Sequence, residues 1–164
     1  MKKINLLFAL LTIVTINSSS RANNLELYGT LVEPPFCSIS GGNTISVSFG
    51  NNVGVKKVSS GIYRQPIPIS ITCGSSNNLT WQLMLSVSGN PVTFDSDNAT
   101  IRTIQQAALG VKLYQNGQVF KLNDAIQINA ANLPTLEAVL VQQNGIELAE
   151  GFFSATATLH AEYL

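Results

Sequence analysis

The chain has 164 residues, enough for one domain with a core of its own. Nine Lys and Arg balance nine Asp and Glu, and only 11% of residues are charged, so no basic patch argues for nucleic acid. One His and two distant Cys make a poor zinc set and no catalytic triad.

The first predicted element is a leader. Lys2-Lys3 form a basic start, Ile4 to Ile16 an apolar run, and Ser20-Arg21-Ala22 a small-residue cleavage site. The apolar run is short for a membrane span. Residues 1–22 therefore read as a signal peptide and the chain as exported. Without Lys2, Lys3 and Arg21, six Lys and Arg face nine Asp and Glu, a weakly acidic mature chain.

Residues 23–35 follow. Leu25, Leu27, Gly29 and Leu31 alternate with Glu26, Tyr28 and Thr30 in the period of a strand. Pro34-Pro35 cannot continue a ladder, which sets this segment apart as an arm. A domain is expected over residues 36–164. Cys37 and Cys73 are an even pair in an exported chain, which predicts a disulfide. Such a loop contributes roughly 3–4 kcal/mol on chain-entropy grounds.

Within the domain a short run from Phe36 to Ser40 precedes the turn at Gly41-Gly42-Asn43. Ile45, Val47 and Phe49 predict a half-buried strand. Residues 53–61 read as a polar connection. Gln65 to Cys73 reads as one strand, with Pro66 and Pro68 pointing to an edge or a crossing. Trp81, Leu83, Leu85 and Val87 form the apolar face of the next. A helical turn is expected within Ile101 to Ala107, then a strand from Leu109 to Tyr114. Asn116-Gly117 is a hairpin signal, with the return at Val119-Phe120. Short strands are expected at Ala125 to Ile128 and Leu136 to Gln142, and Asn144-Gly145 is a second hairpin signal.

The last strand spans Gly151 to Leu164. Phe153, Ala155, Ala157, Leu159, Ala161 and Tyr163 share one face; Ser154, Thr156, Thr158, His160 and Glu162 share the other. Gly151 falls in the apolar register and leaves its place unfilled. Roughly eight strands separated by Gly- and Asn-rich turns predict an all-β, Ig-like sandwich.

Candidate chemistry is sparse. His160 reads as a solvated surface residue. Asp95-Ser96-Asp97-Asn98 faintly resembles a calcium loop but lacks the Gly and the distant Glu of that pattern. Asn78-Leu79-Thr80 and Asn98-Ala99-Thr100 match the glycosylation tripeptide. Trp81 shares its face with Leu83 and Leu85 and reads as core, the alternative being a sugar-stacking ring. No cofactor, metal or catalytic residue is expected, so the chain reads as a non-enzyme.

Taken in order, several stretches resemble the pilins of the bacterial chaperone–usher pathway. These are the arm with Gly29 inside its alternation, Pro34-Pro35-Phe36-Cys37, Ile45 to Gly50, Ile67 to Cys73, and Leu109-Gly110-Val111-Lys112-Leu113-Tyr114. The last is the terminal motif with Gly151 and the penultimate Tyr163. The resemblance implies an incomplete Ig-like sandwich lacking its final strand and completed by donor-strand complementation. It implies Gly151, Phe153, Ala155, Ala157, Leu159, Ala161 and Tyr163 as the groove face, and Leu25, Leu27, Gly29 and Leu31 as the donor strand. The implied partners are a periplasmic chaperone, an outer-membrane usher and neighbouring pilus subunits, and the implied destination is the fimbria at the cell surface. Pro34-Pro35-Phe36-Cys37 and the short length resemble a minor or tip adaptor subunit of P-type pili, with a contribution to adhesion. A rod or terminating subunit is the alternative within the family, and a stand-alone secreted carbohydrate-binding sandwich the alternative outside it.

Overall fold

The computed structural model describes residues 23–74 and 81–164. The expected leader and the tripeptide Asn78-Leu79-Thr80 lie outside the described residues. Glu33–Leu164 form one compact unit, and the described residues 23–32 fall outside it.

In chain order the strands are β1 (Cys37–Ile39), β2 (Arg64–Ile67), β3 (Ile71–Cys73), β4 (Leu83–Gly89), β5 (Thr100–Arg102), β6 (Leu109–Gln115), β7 (Gln118–Val119), β8 (Ile126–Ile128), β9 (Leu136–Gln142) and β10 (Ala157–Tyr163). All their pairings are antiparallel. One sheet has the order β2-β9-β6-β5, with β7 also on β6; a second has the order β10-β4-β8; β1 and β3 form a separate pair. This all-β, Ig-like architecture agrees with the alternating pattern, although the strands outnumber the expected eight.

The core sits between the sheets and follows strand parity. Leu83, Leu85 and Val87 of β4, Leu109, Val111 and Leu113 of β6, and Leu136, Ala138 and Leu140 of β9 are all buried. Phe120 and Leu122 join them from the return after β7. That return uses the expected hairpin: Asn116 and Gly117 both have positive φ, at 47° and 77°, the backbone that a two-residue turn of this hand requires.

The expected strand from Gln65 to Cys73 divides in two. Its first half is β2, an edge strand on β9; its second half is β3, paired with β1 outside that sheet. Pro66 is tolerated at the edge, and Pro68 falls where the chain changes partners. The pairing of β1 with β3 sets Cys37 opposite Cys73 with Cα atoms 4.1 Å apart, joined by the disulfide.

Four local expectations are corrected. Thr100–Arg102 is strand β5, not part of a helical turn, because Ile101 pairs with Val111 and is buried in the core. The polar connection contains a 3-10 helix, Val55–Ser60, seated by the buried Val58; two valines among Lys and Ser were too weak a signal. At Asn144-Gly145 a turn forms, with Ile146 N–H donating to Gln143 O. It closes no hairpin, because β9 and β10 belong to different sheets. Ile45 to Phe49 keep the expected alternation of half-buried and exposed residues but join no ladder among the described residues.

Gly110 shows how closely the β5–β6 region is packed. A Cβ there would clash with Thr100 Cγ2 and lie 3.0 Å from Val92 Cγ1 and 3.2 Å from Ile101 O. Gly110→Ala is therefore expected to cost about 1–3 kcal/mol by overpacking. Denaturant unfolding with the disulfide intact measures it, and an unchanged midpoint would mean that Thr100 and Val92 move aside freely.

Candidate functional site

The ladder of β10 is one-sided. It pairs with β4 from Ala157↔Gly89 to Tyr163↔Leu83, and Leu164 and Gln82 exchange both backbone hydrogen bonds, at 2.9 and 3.0 Å. In an antiparallel pair such doubly bonded positions alternate with positions whose N–H and C=O point the other way. The even residues Thr158, His160 and Glu162 therefore bond to β4. The odd residues Ala157, Leu159, Ala161 and Tyr163 turn their backbone groups to the opposite edge, which has no ladder partner among the described residues.

A trough lies along that edge. One wall is the segment from Gly151 to Glu162. The other runs from Cys37 through Ile45, Val47 and Phe49 to Val55, and its stretch 44–53 is likewise without a ladder. The floor is core: Val87, Ile101, Val111, Leu113, Phe120, Leu136 and Ala138. The cavity measures about 1670 Å³, beyond the roughly 300–1,000 Å³ of small-molecule sites. Phe49 of one wall and Phe153 of the other have ring centroids 6.2 Å apart.

The residues expected on the groove face fall together here. Gly151, Phe153, Ala155, Ala157, Leu159 and Ala161 line the trough, while Tyr163 lies at the strand's end and borders a neighbouring hollow with Trp81. The apolar face is only half-buried at Phe153, Ala155, Leu159, Ala161 and Tyr163, and exposed at Ala157. An interior strand of a closed sandwich would be buried there. The ladder is also shorter than expected: it begins at Ala157, whereas Gly151 has φ 144° and Ser154 is held by other means. Ile104 N–H donates to Ser154 O at 2.8 Å, and Ser154 N–H donates to Gln105 Oε1 at 2.8 Å. Alternation alone could not separate a laddered stretch from one tied to a loop. The second wall at Ile45 to Phe49 was not placed in the site by sequence; its signal was the same alternation, which does not tell a laddered strand from one without a ladder among the described residues.

Leu25, Leu27 and Leu31 belong to no strand and are exposed, Leu31 completely. Gly29 has open space around it.

The remaining candidates are structural. Asp95 and Asp97 both face Lys112: the ammonium lies 2.9 Å from Asp95 Oδ2 and also pairs with Asp97. Thr100 Oγ1 donates to Asp95 Oδ2 at 2.5 Å. Burial pushes the Asp95 pKa up, but the hydrogen bonds from Thr100 and Lys112, with the Lys112 charge, outweigh it and hold the carboxyl below its ordinary value. Burial pushes Lys112 down, and Asp97 and Asp95 more than reverse this. The supposed calcium loop is thus a carboxylate clamp on a lysine. His160 is exposed, its Nε2 3.2 Å from Ser88 Oγ. Trp81 is half-buried, and its Nε1 lacks a hydrogen-bond partner among the described residues.

Comparison with known proteins gives three findings. A family model described as fimbrial protein matches residues 25–163. The uncharacterized fimbrial-like protein YfcQ of Escherichia coli (strain K12) is 34% identical over 160 residues, covering 93% of this chain and 96% of the relative. Among solved structures, the P pilus adaptor subunit PapF matches with TM-score 0.60 and 24% identity, over 80% of this chain and 98% of that one. The P pilus rod subunit PapA matches with TM-score 0.62 and 16% identity, over 84% and 97%. At these identities the two structures establish a shared fold.

The Asp95 clamp gives a pH dependence of defined sign. With its folded pKa depressed, Asp95 contributes stability that is complete above its ordinary value of 3.8 and lost as pH falls through the folded value. Lys112, raised, contributes below its ordinary 10.5 and loses that contribution as pH climbs through the folded value. Asp95→Asn is expected to lower the unfolding midpoint at pH 7 and to flatten its fall below about pH 4. An acid limb as steep as the wild type's would assign it to other groups.

Proposed function

The chain belongs to the fimbrial protein family, and we propose that it is a structural subunit of a chaperone–usher pilus that polymerises by donor-strand exchange. One observation carries the reading: β10 offers an unpaired backbone edge beside an open apolar trough, while the exposed arm offers the alternation of a strand. Strand addition matches the two, with main-chain bonds giving affinity and alternate side chains giving specificity. Burying Leu25, Leu27 and Leu31 contributes roughly 5–8 kcal/mol gross, offset in part by the cost of ordering the arm.

On this reading residues 1–22 direct export and are removed, 23–35 are the donor extension, and 36–164 are the acceptor domain. A periplasmic chaperone lends a strand to the groove first, an outer-membrane usher passes the subunit outward, and the arm of a neighbour then replaces the lent strand. An open sheet edge with an apolar flank favours uncontrolled pairing, which gives the chaperone its physical task. The product is an extracellular fimbria contributing to adhesion. Pro34-Pro35-Phe36-Cys37 and the short length support a minor tip or adaptor position over a rod or terminating one. A free carbohydrate-binding sandwich gains little support, since Trp81 is half-buried and Phe49 and Phe153 pack against each other.

Two experiments check the reading. A copy of residues 23–35 joined after Leu164 by a flexible linker is expected to raise the unfolding midpoint of the free subunit; no rise would count against an open groove. Leu27→Asp or Leu31→Asp is expected to block addition of the subunit to its neighbour while chaperone co-purification persists. Loss of chaperone binding would instead place those leucines in the subunit's own core.

A further inference from the structure

The groove wall and the arm have complementary size patterns. Along β10 the residues aimed at the free edge are Ala157, Leu159, Ala161 and Tyr163; along the arm they are Leu25, Leu27, Gly29 and Leu31. In an antiparallel pairing, setting Leu25 opposite Tyr163 brings Leu27 to Ala161, Gly29 to Leu159 and Leu31 to Ala157. The bulky groove residue Leu159 then meets the residue with no side chain, and each alanine meets a leucine. A shift by two residues either way puts Leu27 or Leu31 against Leu159 and Gly29 against an alanine, so one site is overfilled and another left empty. Pairs of this kind between the chain's own arm and its own groove point to a second copy as occupant.

The same register has a consequence past the groove. Pro35 falls opposite Phe153 and has no N–H to give, so the ladder stops there. One residue further, Phe36 of the donor falls opposite Phe152 of the acceptor. Both are exposed on the isolated chain, at 83% and 74%. They also lie at opposite ends of the domain. Cys37 follows Phe36 in β1, which stands beside β10, whereas Phe49 packs on Phe153, so the first wall runs counter to the last strand. Antiparallel insertion therefore joins one end of the donor to the other end of the acceptor, a head-to-tail contact that can repeat without closing.

We propose that Phe36 of a donating second copy packs on Phe152 of the accepting copy, with Ile104 beside it, forming an apolar joint between consecutive subunits outside the groove. Ile104 is also exposed and is tied by its N–H to Ser154 O, two residues from Phe152. The contact covers aromatic surface that the single chain leaves in water and restrains the hinge at Pro34-Pro35. A minor subunit placed in short series along a tip would then form a stiffened rather than a freely jointed segment. The inference rests on the strand-donation reading above.

The test refolds mature chain (residues 23–164) with excess synthetic peptide of residues 23–36 and measures peptide affinity and the unfolding midpoint of the complex. The unmodified peptide is expected to bind and raise the midpoint. A Phe36→Ala peptide is expected to bind about tenfold more weakly to the unmodified chain, and no more weakly than the unmodified peptide to a Phe152→Ser chain. A Gly29→Leu peptide is expected to lose at least ~10-fold on the unmodified chain and to recover on a Leu159→Ala chain. A Phe36→Ala effect that is absent, or equal on both chains, overturns the joint. Failure of Leu159→Ala to rescue the Gly29→Leu peptide overturns the register. An unmodified peptide that does not bind at all overturns strand donation itself.

Discussion

Hydrogen-bonding capacity left open on one side of β10 is the constraint on which the rest of this structure turns. A backbone N–H or C=O kept from water without a partner costs about as much as a lost hydrogen bond. Here the odd residues of β10 present such groups in a row, and the segment from Thr44 to Val53 presents another row across an apolar floor. Two edges without ladder partners among the described residues, at either side of a hydrophobic trough, match the needs of one added strand. A small ligand could not satisfy both rows along that length.

The remainder of the domain keeps this trough open yet shaped. The crossing at Pro68 takes the chain from the β9 sheet to β1, and the disulfide fixes β1 to β3 at the start of the second wall. Buried residues from β4, β6 and β9 belong to one hydrophobic cluster and make the floor. The clamp of Asp95 and Asp97 on Lys112 ties the loop before β5 to β6.

Two glycines differ sharply in their surroundings. Gly110 is required by close packing within the domain. A Cβ at Gly29 would meet nothing, so close packing among the described residues does not account for it, and the register proposed with Leu159 would.

Period-two alternation by itself determined that the chain is all-β, which residues face the core in β4 and β6, which face of β10 is apolar, and that Leu25 to Leu31 have the pattern of a strand. The hairpin at Asn116-Gly117 and the pairing of Cys37 with Cys73 were legible for equally local reasons: a turn needing positive φ, and two thiols in an exported chain. Alternation says which face of a strand is apolar, but not whether its edges are paired. Only the tertiary structure decided that Ile45 to Phe49 form a wall without a ladder among the described residues, that the chain changes sheets at Pro68, and that Asn144-Gly145 turns without closing a hairpin. Each of these depends on which distant backbone arrives alongside. The last strand could be recognised from its own residues; that one of its edges lies open above a trough could not.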